Sequence, residues 1–215
     1  MSKPEIKICG LSTPETVDAA IDAGATHIGL NLYEPSPRYV TLDKAAALRR
    51  RVPQGVKVVL VTVSMDAPST LKALEMVRPD VIQFHGAETP EWLALVRNNT
   101  PVEVWKAVGV RNAESFDYAR QFKDAADKVL YDAAAGAMPG GSGLALDWSL
   151  LAGARHEIPW GLAGGLTSDN VAEAIRTTGA PLVDASSGLE SAPGVKDVDL
   201  IRAFCKAARQ ENIRA

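Results

Sequence analysis

Short apolar runs alternate with longer segments whose apolar residues recur at helical spacing. The strand-like runs are 6–9, 27–32, 57–63, 81–85, 102–107, 128–132, 160–163 and 182–184. Between them, Thr13-Pro14-Glu15 opens one helical pattern with a capping hydroxyl and a proline in the first turn. The others run over 43–51, 68–77, 89–97, 113–122, 148–154, 168–177 and 198–210. Strict alternation of strand and helix predicts parallel strands joined by helical crossovers. Eight such pairs predict an α/β fold, a single-domain (β/α)8 TIM barrel over 1–215, lean at about 27 residues per unit. A Rossmann or flavodoxin-like sheet would use fewer strands, and no GxGxxG follows the first run.

If the chain is a barrel, its chemistry belongs at the C-terminal ends of the strands. Alternation turns Lys7 and Cys9 towards the barrel axis and Ile6 and Ile8 towards the helices. Cys9 then ends strand one, as a base or nucleophile helped by nearby cations, or as a small buried hydrophobe. Asp132 ends strand six, either as a partly desolvated general acid or as a cap for the Gly-rich stretch Ala133–Gly143 behind it. That stretch reads as a functional loop, with closure over a substrate as one use for it. Asp184 ends strand eight, where closure of the barrel offers Lys7 as an ion-pair partner.

Arg38 stands in a loop stiffened by Pro35 and Pro37, which presents a guanidinium to a carboxylate at reduced entropic cost unless the side chain is merely solvated. Gln83 and His85 share one side of strand four, lining the pocket or hydrogen-bonded in the core. His27, at the base of strand two, reads as structural, and His156 as solvent-facing. Two glycine turns follow the last two strands: Gly164-Gly165 and Ser186-Ser187-Gly188. Each exposes backbone N–H groups and small hydroxyls, the makings of the phosphate site that such barrels place after strands seven and eight, or else of simple tight turns.

Composition narrows the choice of partner. Of 215 residues, 47% are hydrophobic and 23% charged, and the net charge of −3 offers no global field for nucleic acid or anionic membrane. Two cysteines provide no disulfide scaffold; Cys205 sits in an amphipathic helix as a buried hydrophobe. Three scattered histidines and no carboxylate cluster argue against a metal centre, and no dinucleotide signature calls for a cofactor. The N-terminus lacks a signal-peptide core, so a free-standing cytoplasmic protein, monomer or homodimer, is expected. A phosphate site, an arginine, a thiol and a carboxyl group together suit acid–base isomerisation of a small phosphorylated, carboxylated molecule.

The motifs Lys7-Ile-Cys-Gly10, Ser36-Pro-Arg-Tyr39, Gln83-Phe-His-Gly86, Asp132 ahead of Gly140-Gly-Ser-Gly143, Leu162-Ala-Gly-Gly-Leu166, Ser186-Ser-Gly-Leu-Glu190 and Pro193-Gly-Val-Lys-Asp197 are each weak. In this order and spacing, nearly end to end, the chain resembles the phosphoribosylanthranilate isomerase family of tryptophan biosynthesis. The resemblance implies a cofactor-free Amadori rearrangement. It assigns the base to Cys9, the acid to Asp132, the anthranilate carboxylate to Arg38, and the phosphate to the turns around Gly164–Gly165 and Ser186–Gly188. Asn31, Leu32 and Leu144 depart from the family pattern, which bears on substrate range rather than reaction type. Two rivals stand beside this reading. One is the related isomerase of histidine biosynthesis, which uses two aspartates where this chain has Cys9; the other is a barrel that binds a phosphorylated ligand without catalysis.

Overall fold

The computed structural model describes residues 3–133 and 146–210. Eight parallel strands close in sequential order: β1 (Glu5–Cys9), β2 (His27–Asn31), β3 (Lys57–Thr62), β4 (Val81–Phe84), β5 (Glu103–Val110), β6 (Lys128–Ala133), β7 (Trp160–Leu162) and β8 (Leu182–Ala185). Closure pairs β1 with β8, with Lys7 opposite Asp184. The crossovers carry α1 (Pro14–Asp22), α2 (Leu42–Arg49), α3 (Ala67–Val77), α4 (Pro90–Asn99), α5 (Glu114–Arg120), α6 (Ser149–Ala152), α7 (Val171–Thr178) and, after β8, α8 (Val198–Gln210).

The helices begin where short polar side chains offer caps. Thr13, Thr41, Asp66 and Thr89 each accept a backbone N–H three residues on, ending the loops that lead from β1 to β4 into their helices. Prolines in the first turns of α1, α3 and α4 remove donors that would have had no partner there. Apolar side chains divide into two layers. A large layer fills the space between barrel and helices, from Ile6 and Ile8 to Phe204. A smaller one, Val59, Val61, Val81, Trp105, Leu130, Ala163 and Leu182, fills the barrel, and Cys9 packs on it. Beneath it the imidazole of His27 lies 5.2 Å from the Trp105 ring, with Nδ1 bonded to Thr26 Oγ1.

Several boundaries differ from the sequence reading. β5 runs to Val110 because its last residues pair with Asp132 and Ala133. α6 is a single turn, and α7 starts at Val171, after a turn in which the Asn170 side chain accepts the Thr167 N–H and donates to the Gly165 carbonyl. Between β8 and α8 lies a small hairpin of β9 (Glu190–Ala192) and β10 (Val195–Lys196), which apolar patterning does not reveal. His156 is not a free surface residue. It stacks on Trp160 at 4.2 Å and sits edge-on to Phe116, held by apolar contact beside Tyr131. Among the described residues no helix is long and apolar enough to cross a membrane.

Candidate active site

The C-terminal mouth of the barrel brings the singled-out residues together in two groups. The first is built on β1, β2 and β8. Cys9 closes β1 and pairs with Gly29, whose missing side chain makes room for it: a Cβ there would lie 2.9 Å from both the Cys9 Cα and Sγ. Gly10 follows at φ +76°, and the stem of Arg38 passes over it; a Cβ on Gly10 would meet the Arg38 Cδ at 2.6 Å. Arg38 is held there from its own loop and from across the mouth. Its N–H donates to Ser36 Oγ, which also takes a bond from the Asn31 amide, so Asn31 serves to fold the arginine loop. Its Nε and Nη2 donate to the two carboxylate oxygens of Glu190 at 2.7 and 2.8 Å. Ser186 Oγ donates to the Cys9 carbonyl at 3.1 Å, tying the second glycine turn to the end of β1.

The second group is built on β4, β6 and β7. Asp132 is buried, with Oδ2 3.4 Å from His85 Nε2, and His85 Nδ1 lies 3.4 Å from the Gln83 amide. Gln83 and His85 thus form one polar chain from the core to the acid rather than two separate wall residues. Gly164 and Gly165 take φ of +89° and +69°. A Cβ on Gly164 would lie 2.4 Å from the Ala133 nitrogen and 3.0 Å from Asp132 Oδ1, so the first glycine turn rests on the carboxylate's own strand. The two turns also touch, since a Cβ on Gly188 would lie 2.2 Å from the Leu166 carbonyl oxygen. Among the described residues, the N–H groups of Gly164 and Gly165 donate to no protein acceptor, which leaves them to an incoming anion.

In the strand ring β6 and β1 are separated on one side by β7 and β8, and on the other by β2 to β5. The thiol and the carboxyl group therefore face each other across the mouth, with the two glycine turns between them on the shorter side. Charge around the thiol is arranged by a buried pair: Lys7 Nζ donates to Asp184 Oδ2 at 2.7 Å. Burial opposes the Lys7 charge, but Asp184 and the neighbouring Cys9 outweigh it and raise the lysine, so it stays an ammonium. Burial pushes the Cys9 thiol up; Lys7 and Lys196 oppose this and Asp184 adds to it. Cations alone thus do not make a resting thiolate here, contrary to the expectation from position.

Glu190 and Lys196 carried no role in the sequence reading. The available signal was the Pro193-Gly194 turn between them, which marks a hairpin and brings a carboxylate and an ammonium face to face. The stretch 134–143 of the proposed loop, with Gly140–Gly143 and Leu144 beyond it, lies outside the described residues.

A family model described as N-(5'-phosphoribosyl)anthranilate isomerase matches residues 6–207. The chain belongs to the phosphoribosylanthranilate isomerase family. A family member from Erythrobacter litoralis, named N-(5'-phosphoribosyl)anthranilate isomerase, is 57% identical over 204 residues, covering 95% of this chain and 98% of its own. Two crystal structures of phosphoribosylanthranilate isomerases are similar throughout. One, in complex with reduced 1-(o-carboxyphenylamino)-1-deoxyribulose 5-phosphate, superposes at a TM-score of 0.86 with 30% identity, covering 96% of this chain and 99% of the other. The second, of monomers generated from the dimeric enzyme of Thermotoga maritima, does so at 0.85 with 31% identity and the same coverage. Phosphoribosylanthranilate isomerases are isomerases of tryptophan biosynthesis, and the closed barrel seen here is the fold of those structures.

Proposed function

We propose that the protein converts N-(5′-phosphoribosyl)anthranilate into 1-(o-carboxyphenylamino)-1-deoxyribulose 5-phosphate, with Asp132 as general acid and Cys9 as general base. Asp132 gives its proton to the ribose ring oxygen as the C1′–O bond breaks, and the nitrogen lone pair closes a C1′=N Schiff base. The Cys9 thiolate then takes the C2′ proton, leaving an enolamine that tautomerises to the C2′ ketone as C1′ gains a proton. Carbon C1′ is reduced and C2′ oxidised within one molecule, so the sequence is closed without a nucleotide or metal. The two groups stand on opposite sides of the mouth, which suits proton delivery at one face of the sugar and removal at another.

The observation that carries this reading is that pair, set beside a touching pair of glycine turns and an arginine over Gly10, in a chain of this family. The turns at Gly164–Gly165 and Ser186–Gly188 would hold the phosphate, and Arg38 the anthranilate carboxylate. Gln83 and His85 would reach the substrate through the acid. The same reading takes 1–215 as one barrel domain, working in the cytoplasm as a monomer or homodimer. Support for that location is modest chemistry: both cysteines, Cys9 and Cys205, are free thiols.

The test is to run the reaction in D2O with a chelator present and identify the product by NMR. The expected product is the deoxyribulose phosphate carrying deuterium at C1′. Recovery of unreacted or merely hydrolysed substrate from folded protein would refute the assignment.

A further inference from the structure

The β9–β10 hairpin is an insertion where a lean βα unit would pass straight from strand to helix, and its polar side chains point to one place. The Glu190 side chain is 4% exposed, yet it takes four hydrogen bonds. Two come from Arg38, one from Lys196 Nζ at 2.5 Å and one from the Gly194 N–H at 3.1 Å. Lys196 also donates to the Ser186 carbonyl at 3.0 Å, and Ser186 Oγ reaches the Cys9 carbonyl. The turn of the hairpin presses on the arginine loop itself: a Cβ on Gly194, at φ +81°, would lie 2.2 Å from the Pro37 carbonyl oxygen. Burial favours the neutral form of Glu190, but the bonds from Arg38 and Lys196 win and hold its carboxyl below the usual range.

Two features of this cluster bear on a ligand. Two cations enclose one carboxylate, so the cluster keeps a net charge of +1. A guanidinium also has five N–H groups in one rigid plane. Glu190 takes the edge made by Nε and Nη2, which leaves the Nη1–Nη2 edge for a second carboxylate held by two parallel bonds.

We propose that Glu190, braced by Lys196, is the positioning residue that aims Arg38 at the substrate carboxylate. This rests on the carboxylate role given to Arg38 above. A free arginine would spread its guanidinium over many rotamers and lose that entropy on binding; here folding has already fixed it. The hairpin thereby acts on affinity, not on the proton transfers.

The experiment is steady-state kinetics on Glu190→Gln, Glu190→Asp, Arg38→Ala and the Arg38→Ala/Glu190→Gln double variant, with a thermal melt of each. The expected result is a KM for N-(5′-phosphoribosyl)anthranilate raised about tenfold in Glu190→Gln, the worth of one lost charge-assisted bond, with kcat within about threefold of the parent, since no proton-transfer group is touched. Glu190→Asp keeps the charge on a shorter arm and falls between the two. It also carries the test if the glutamine variant does not fold. In the Arg38→Ala background the glutamine substitution adds nothing further to KM, because its effect passes through Arg38. An unchanged KM in folded Glu190→Gln, with or without a lowered melting temperature, would reduce Glu190 to a structural role. So would a full, additive effect in the double variant. If Arg38→Ala itself leaves KM unchanged, Arg38 does not hold the carboxylate, and the proposal goes with that reading.

Discussion

Replacing Gly29 by alanine adds one methyl group at the place where the barrel makes room for Cys9. The new Cβ would sit 2.9 Å from the Cys9 Cα and Sγ and 3.2 Å from its Cβ. Carbon contacts relax at about 3.5–4.0 Å, so roughly 0.6–1 Å of separation has to be made. The strands cannot supply it cheaply, because Gly10 and Leu11 both donate their N–H groups to the Gly29 carbonyl, at 2.9 and 3.1 Å. The thiol is the part that can move. Overpacking of this kind costs about 1–3 kcal/mol, which a domain of ordinary stability, about 5–15 kcal/mol, survives folded. Misplacing a reacting group by about 1 Å costs on the order of 10²-fold in rate. Gly29→Ala should therefore keep its fold and lose turnover by that order, measured as kcat from the fluorescence assay alongside a urea titration. A folded variant with kcat within about threefold of the parent would refute the argument that Gly29 is there to seat Cys9.

Other outcomes follow from the charges. Asp184→Asn keeps an oxygen for Lys7 but removes a negative charge near the thiol; the Cys9 thiolate gains, its pKa falls, and alkylation by iodoacetamide at neutral pH speeds up. An unshifted or slowed pH profile of alkylation would contradict that electrostatic picture. His27 is held neutral down to about pH 3, first by burial and then by Lys128, against an ordinary value of 6.5. Between those values the unfolded chain binds a proton that the folded one refuses, so stability is present above about pH 6.5 and is lost as pH falls. The slope approaches about 1.4 kcal/mol per pH unit, giving about 2–3 kcal/mol between pH 6.5 and 4.5. Urea titrations at both pH values should show that loss and show it reduced in His27→Gln; equal losses would put the acid sensitivity elsewhere.

The barrel was legible because each strand is an apolar run with a period of two, and each helix opens on a residue that caps it. The placement of Cys9 and Asp132 followed from the same alternation, and so did the Lys7–Asp184 pair once the ring was closed. What could not be read was long-range and polar. Arg38 and Glu190 are 152 positions apart, and the hairpin that joins them is two short polar strands with no apolar period. The state of the Cys9 thiol was equally hidden, since position shows which cations are near but not how much water burial removes. His156 was misread because a helix-end loop gives no sign that an aromatic ring will stack on the next strand.

The central claim is an acid and a base at opposite sides of one mouth. The most direct measurement is turnover of freshly generated N-(5′-phosphoribosyl)anthranilate, followed by loss of its fluorescence, for the parent protein, Cys9→Ala and Asp132→Asn. The parent should turn over, Asp132→Asn should lose at least ~100-fold, and Cys9→Ala should fall sharply. Turnover near the parent's in either folded variant would remove that residue from the mechanism, and no turnover by the folded parent would contradict the assignment of the reaction itself.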